Sequence, residues 1–218
     1  WKPNRTNLEQ FTYNYTWYNN PYYLAKENLR GYTNDVIVAQ SKLTLDITKN
    51  LNLVLRSGGT LNNASGDLKT PYSYINYTAA PFGEYELSTS NNLLINTDVM
   101  LTYKQTIFSD FDITASAGAS DRYEKARRLS SSTAGGLQVP LTYNLGNSRS
   151  PVTSTNFLSE REVKSVFGYT DIGYRNWINL NLSVRNDWTT SLQKPYNSFF
   201  YPSASLGVLL SEVIDMPA

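Results

Sequence analysis

Residues 91–120, "NNLLINTDVMLTYKQTIFSDFDITASAGAS", hold two long runs in which every second side chain is apolar, and the neighbour of that apolar face decides the fold. A strand sends successive side chains to opposite faces, so parity is the way to read it. In the first run Leu93, Ile95, Thr97, Val99, Leu101 and Tyr103 share one face, and Asn92, Leu94, Asn96, Asp98, Met100, Thr102 and Lys104 the other. In the second, Phe111, Ile113, Ala115, Ala117 and Ala119 oppose Asp112, Thr114, Ser116, Gly118 and Ser120. The link at 105–110 is short enough for an antiparallel hairpin with both apolar faces on one side. Strands of soluble domains run ~5–6 residues. These alternations persist for about ten, the length at which a tilted strand crosses a bilayer.

The pattern recurs along the chain. Leu43, Leu45 and Ile47 share a face before a tight turn at Lys49-Asn50, and Leu51, Leu53 and Leu55 resume it after the turn. A third hairpin pairs 165–174 with 177–189 around Arg175-Asn176, with Ile178, Leu180, Leu182 and Val184 set against Asn179, Asn181, Ser183, Arg185 and Asp187. A seventh run, 200–211, alternates Ala204, Leu206, Val208 and Leu210 with small or polar residues. The connections alternate too: those three are tight, whereas 58–90 and 121–164 are long and 191–199 is intermediate. Short turns at one end and long loops at the other are the layout of an outer-membrane barrel. Tyr103, Phe108, Phe111, Tyr174 and Trp177 flank the short turns, and Tyr123, Trp188, Phe199 and Tyr201 stand near the long-loop ends, where aromatic girdles belong. A soluble β-sandwich also alternates, but its loops have no reason to be long and short by turns.

Composition removes whole classes of chemistry. The 218 residues contain no cysteine and no histidine, so disulfides, thiolate metal sites and the usual general base are excluded. A net charge of +1 gives no electrostatic case for nucleic acid. Mean hydropathy is -0.41 and no apolar run approaches the ~18 residues of a membrane-spanning helix, which leaves strand-spanning barrels open. Residues 1–10 have no apolar signal-peptide core. Close carboxylate pairs, Glu84 with Glu86 and Glu160 with Glu162, read as charged loops rather than a glycosidase pair. No phosphate loop, nucleophile elbow or metal-ligand spacing occurs, so no catalytic, cofactor or metal residue is assigned and no enzyme is expected.

Binding residues are a different matter. "PYSYINYTAAPFGEY" (71–85) offers Tyr72, Tyr74, Tyr77 and Phe82 on a long outer loop, where rings can stack on sugars, pack a peptide or pack the loop itself. "DRYEKARRL" (121–129) places Arg122, Lys125, Arg127 and Arg128 just outside the membrane, within reach of lipopolysaccharide phosphates or an acidic ligand. Asn96, Asp98, Asn179, Asn181 and Arg185 fall on polar faces and would look into a lumen.

Several stretches in order carry a family resemblance: "NPYYLAKENLRG" (20–31), "LTLDITKNLNLVLRSGGT" (43–60), "LQVPLTYNLGNS" (137–148), "EREVKSVFGYTDIGYRNW" (160–177), "VRNDWTTSL" (184–192) and "FYPSASLGVLLSE" (200–212). Together they resemble the barrel of SusC/RagA-type TonB-dependent outer-membrane transporters. That family ends a strand in Arg-x-Asp followed by hydroxyl residues, matched by Arg185, Asp187, Thr189, Thr190 and Ser191. A Phe-Pro-Ser element then opens the next strand, matched by Phe200, Pro202 and Ser203 with Tyr201 inserted. Val208 departs from the pattern, standing where the family has Trp.

The resemblance implies an all-β fold: an antiparallel transmembrane β-barrel segment, seven to eight strands of a plugged barrel of about 22. On this reading residues 1–218 belong to the barrel domain, with plug, TonB box and signal peptide outside the chain. It also implies import of glycans or oligopeptides, a SusD-like surface lipoprotein as partner, energy through TonB, and contact with outer-membrane lipid and lipopolysaccharide. Two other classes remain as alternatives: a soluble carbohydrate-binding β-sandwich, and a passive porin or adhesin barrel.

Overall fold

The structure, a computed structural model, describes residues 9–14, 16–75, 82–175 and 177–210. A short helix α1 (Pro21–Glu27) precedes seven strands: β1 (Leu29–Asp46), β2 (Leu51–Thr70), β3 (Glu84–Ile107), β4 (Phe111–Leu137), β5 (Ser148–Tyr174), β6 (Ile178–Thr189) and β7 (Ser198–Val208). All seven form one antiparallel sheet in chain order, each strand hydrogen-bonded to its sequence neighbours. A 3-10 turn, Leu145–Asn147, interrupts the β4–β5 connection. The expected hairpins and seventh strand are all present.

Local chemistry sets the element boundaries. Helix α1 starts where the Asn20 side chain accepts hydrogen bonds from the backbone N–H groups of Tyr22 and Tyr23, with Pro21 preset for a first helical turn. The β1–β2 turn closes when Leu51 N–H donates to Thr48, both backbone carbonyl and Oγ1. The β3–β4 and β5–β6 turns use the left-handed region at Phe108 and Ser109 (φ 54° and 61°) and at Arg175 (φ 44°).

One expectation is corrected. The spans 58–90 and 121–164 are mostly strand: β2 continues to Thr70, β4 reaches Leu137 and β5 begins at Ser148. Arg122, Lys125, Arg127 and Arg128 therefore stand on β4 and not on a loop. Alternation fades because both faces of these extensions carry polar side chains, while backbone pairing continues undisturbed.

By packing, the described residues divide into two compact units. The first gathers those of Trp1–Ile37, Leu61–Asn92 and Ala126–Ser159, and the second those of Val38–Thr60, Leu93–Lys125 and Glu160–Ala218. In the second unit the usual order of a globular sheet is inverted. Ile95, Val99, Leu101, Tyr103, Leu182 and Val184 are exposed, the last at 49 %, whereas Ser116 (6 %) and Ser165 (3 %) on the opposite face are buried. The sheltered face is the polar one. The first unit has a small conventional core, with Tyr23, Pro71 and Leu137 buried.

At the second unit's short turns, neighbouring hairpins are joined. Lys104 N–H donates to Asn50 O (2.8 Å), Arg175 N–H to Asp110 O (2.9 Å) and Leu209 N–H to Trp177 O (2.8 Å). The Arg175 guanidinium also grips both carboxylate oxygens of Asp110 (3.1 and 3.2 Å), and this hydrogen-bonded charge raises its pKa above the ordinary arginine value. Phe111 and Tyr174 lie 4.7 Å apart between ring centroids, with Trp177 6.1 Å beyond Tyr174.

Candidate functional site

The sheltered face of the second unit is built by register. Antiparallel pairing sets Arg185 opposite Phe167 and Asp187 opposite Ser165. Arg185 then donates from Nε to Asp187 Oδ1 (2.7 Å) and from Nη2 to Ser165 Oγ (2.9 Å), with its guanidinium 6.0 Å from the Phe167 ring. Phe167 fits because position 118 is glycine: a Cβ there would come within 2.6 Å of the ring's Cζ and 2.5 Å of Val99 O. Below it, Tyr169 donates to Met100 Sδ (3.4 Å), and the hydroxyls of Thr102 and Ser116 share a 2.9 Å hydrogen bond.

Farther along these strands from the short turns, the same face becomes charged. Arg56 pairs with Asp98 (3.3 Å), and Glu124 is held between Arg122 and Arg161, the latter at 2.5 Å. Arg56, Asp98, Arg122 and Arg161 line a hollow of about 960 Å³ together with Lys42 and Asn96, and Glu124 stands beside it through its two arginines. That volume lies at the upper end of the range for ligand sites.

Four of the residues singled out from the sequence, Asn96, Asp98, Arg122 and Arg185, thus meet at one hollow. Asn179 and Asn181 share the parity of Arg185 but stand outside it, opposite Gly207 and Ser205 on β7. Lys125 is on the other parity, paired with Glu160 at 2.5 Å. Lys42, Arg56 and Arg161 escaped the sequence reading. Parity alone identifies Arg56, on the even-numbered face of β2 with Asn52; Arg161 was hidden by the assignment of its segment to a loop.

The first unit holds the remaining candidates. The Phe82 ring receives the Arg149 guanidinium at 3.3 Å, and Arg149 Nε donates to Leu137 O (2.9 Å). Gly136, at φ 92°, leaves room for Phe82, since a Cβ there would sit 2.8 Å from the Phe82 Cβ. Tyr72 lies 5.7 Å from Phe82, and Tyr74 N–H closes a turn onto Pro71 O. Tyr77 lies outside the described residues. Arg127 and Arg128 are exposed on β4.

Amide side chains tie the segment before α1 to the β2–β3 connection: Gln10 Nε2 donates to Asn19 Oδ1 (2.7 Å) and Ser73 O (2.6 Å), and Asn19 Oδ1 accepts from Ile75 N–H (2.8 Å). Burial, then the charge of Glu27 and the nearby Tyr23, pushes the Tyr143 phenol up to about 12. Burial, then the Glu86 charge, raises the carboxyl of Glu84 above the ordinary glutamate value. The Phe82–Arg149 and Tyr72–Phe82 contacts place two candidate ligand rings inside the packing of their own loops.

A single sheet with long hairpins, an exposed apolar face and a sheltered polar one is the arrangement of a membrane β-barrel wall. No family model matches the sequence, and no curated protein matches it significantly. Among solved structures, the chain is similar to the RagAB peptide transporter, with a TM-score of 0.78 at 18 % identity over 91 % of this chain and 22 % of that one. It is also similar to the RagAB peptide importer in its open-open state (TM-score 0.67, 20 % identity, 86 % of this chain and 21 % of that chain) and its closed-closed state (0.69, 19 %, 81 % and 20 %). The chain spans about a fifth of the length of these transporters. The fold expected from the SusC/RagA resemblance is therefore the fold observed, and its neighbours are transporters rather than enzymes.

Proposed function

We propose that this chain is part of the barrel wall of a TonB-dependent outer-membrane importer, with the face of Leu182 and Val184 against lipid and the face of Arg56 and Arg185 lining the ligand path. The observation that carries the reading is the inverted burial: exposed leucine and valine back onto buried serine, the arrangement of a strand with lipid on one side and a wet lumen on the other. Likeness to peptide-transporting RagAB structures favours oligopeptides over glycans as cargo and supports a SusD-like lipoprotein at the outer end. The long paired extensions of β2–β5 and the packed loops of the first unit are the surface such a partner would meet. Lipopolysaccharide would meet the lipid-side parity of β4 and β5, where Lys125 and Glu160 pair.

The test uses the full-length protein in its native cell. Membrane fractionation is expected to place it in the outer membrane, extractable only with detergent, and labelled peptide uptake is expected to stop when a protonophore collapses the energy supply. Uptake that persists with the protonophore would replace this reading with a passive porin. A detergent-free soluble monomer would replace it with a β-sandwich binding module.

A further inference from the structure

Three of the acidic residues at or beside the hollow, Asp98, Glu124 and Asp187, have an arginine partner much more exposed than themselves, and a fourth, Asp121, also lines it. The side chains of Arg56, Arg122, Arg161 and Arg185 are 46–57 % exposed, whereas their partners Asp98, Glu124 and Asp187 are 21–29 % exposed. In each pair the carboxylate is the sheltered partner and the guanidinium the presented one. Such an arrangement fixes the aim of each guanidinium without using up its five N–H donors. Glu124 serves two arginines at once and Lys42 lines the same hollow, so the five cations Lys42, Arg56, Arg122, Arg161 and Arg185 still exceed the four carboxylates Asp98, Asp121, Glu124 and Asp187.

We infer that this wall selects ligands bearing carboxylates, the guanidiniums of Arg56 and Arg161 binding them from the side facing away from Asp98 and Glu124. The inference rests on the importer reading and adds a chemical class of cargo to it. A planar guanidinium matches a carboxylate in two parallel hydrogen bonds, and both charges strengthen them. A neutral amide or hydroxyl accepts from the same donors without that gain, and a cationic ligand is repelled. The hollow's volume admits several residues of an oligomer, so more than one carboxylate can be engaged together. Acidic peptides and uronic-acid oligosaccharides supply this chemistry equally.

The test measures fluorescein-labelled pentaglutamate and pentaglutamine binding to the purified full-length protein in detergent, by polarisation at low and high salt. Pentaglutamate is expected to bind at least about tenfold tighter, with the advantage shrinking as salt rises. The double variant Arg56→Gln/Arg161→Gln is expected to lose that advantage, while Arg56→Lys/Arg161→Lys keeps its salt-sensitive part. Heat-modifiable migration on gels verifies that each variant forms its barrel. Competition by trigalacturonate supports recognition of the carboxylate itself; competition by unlabelled pentaglutamate alone supports carboxylate recognition on a peptide backbone. Equal binding of the two peptides by the unaltered protein, or undiminished pentaglutamate binding by the folded glutamine variant, overturns the inference. Energy-dependent uptake without carboxylate preference would remove this inference and leave the importer intact, whereas absence from the outer membrane would remove the importer itself.

Discussion

The two packing units of this chain solve the same problem, keeping β-strands ordered, by opposite means. Among its described residues the second unit has almost no apolar core, and its two faces divide by polarity: leucine and valine exposed on one, buried serine with arginine on the other. The first unit works as a small soluble domain does, with Tyr23, Pro71 and Leu137 buried and amides from Gln10, Asn19 and Asn20 satisfying the backbone of irregular segments. On the importer reading, one is stabilised by the lipid around it and the other by its own packing. Substitutions should therefore fail for different reasons in the two.

The sharpest break comes from placing a charge on the lipid side. Leu182→Arg is expected to cost ~2–4 kcal/mol in urea unfolding from liposomes, the range for a cation at the bilayer midplane. Asn181→Arg, one residue away on the opposite parity, is expected to stay within ~0.5 kcal/mol. Equal effects would mean that both faces meet the same medium. Next in size, Gly118→Val is expected to cost ~1–3 kcal/mol in the same assay, because Val99 O is backbone and cannot yield and the Phe167 ring is held over the site.

In the first unit the corresponding experiment tests internal packing. Arg149→Met removes the cation–π contact to Phe82 and the hydrogen bond to Leu137 O, and ~1–2 kcal/mol is expected. The measurement is faster proteolytic nicking at 138–147 in intact cells, with unchanged heat-modifiable migration. The smallest effect concerns pH. Because burial raises the Glu84 pKa, the folded unit holds that proton more tightly than the unfolded chain. Its contribution is full below about pH 4.5, the ordinary value, and is lost as pH rises through the raised folded value. Glu84→Gln is thus expected to make the first unit more protease-resistant at neutral pH, with no gain at pH 4.

What could be read in advance follows the same division. The alternating parts of β3, β4 and β6 were legible because one face is apolar, and their hairpins followed from the shortness of the links. The extensions were not: in 60–69, "TLNNASGDLK", polar side chains occupy both parities, so pairing continues without a hydrophobic signature. Arg161, on the corresponding part of β5, was lost with them. Helix α1 was missed although Asn20-Pro21 marks an N-cap and first turn, since seven residues are too few to establish a helical period. Arg56 and Asp98 were each visible on a polar parity; their pairing needed the β2–β3 register, which sequence leaves open.

The joined turns of the second unit have a mechanical consequence. Asn50 with Lys104, Asp110 with Arg175, and Trp177 with Leu209 act as stitches along a hem, so no hairpin can hinge outward without tearing the seam beside it. Along this border movement has to be shared by the whole fabric.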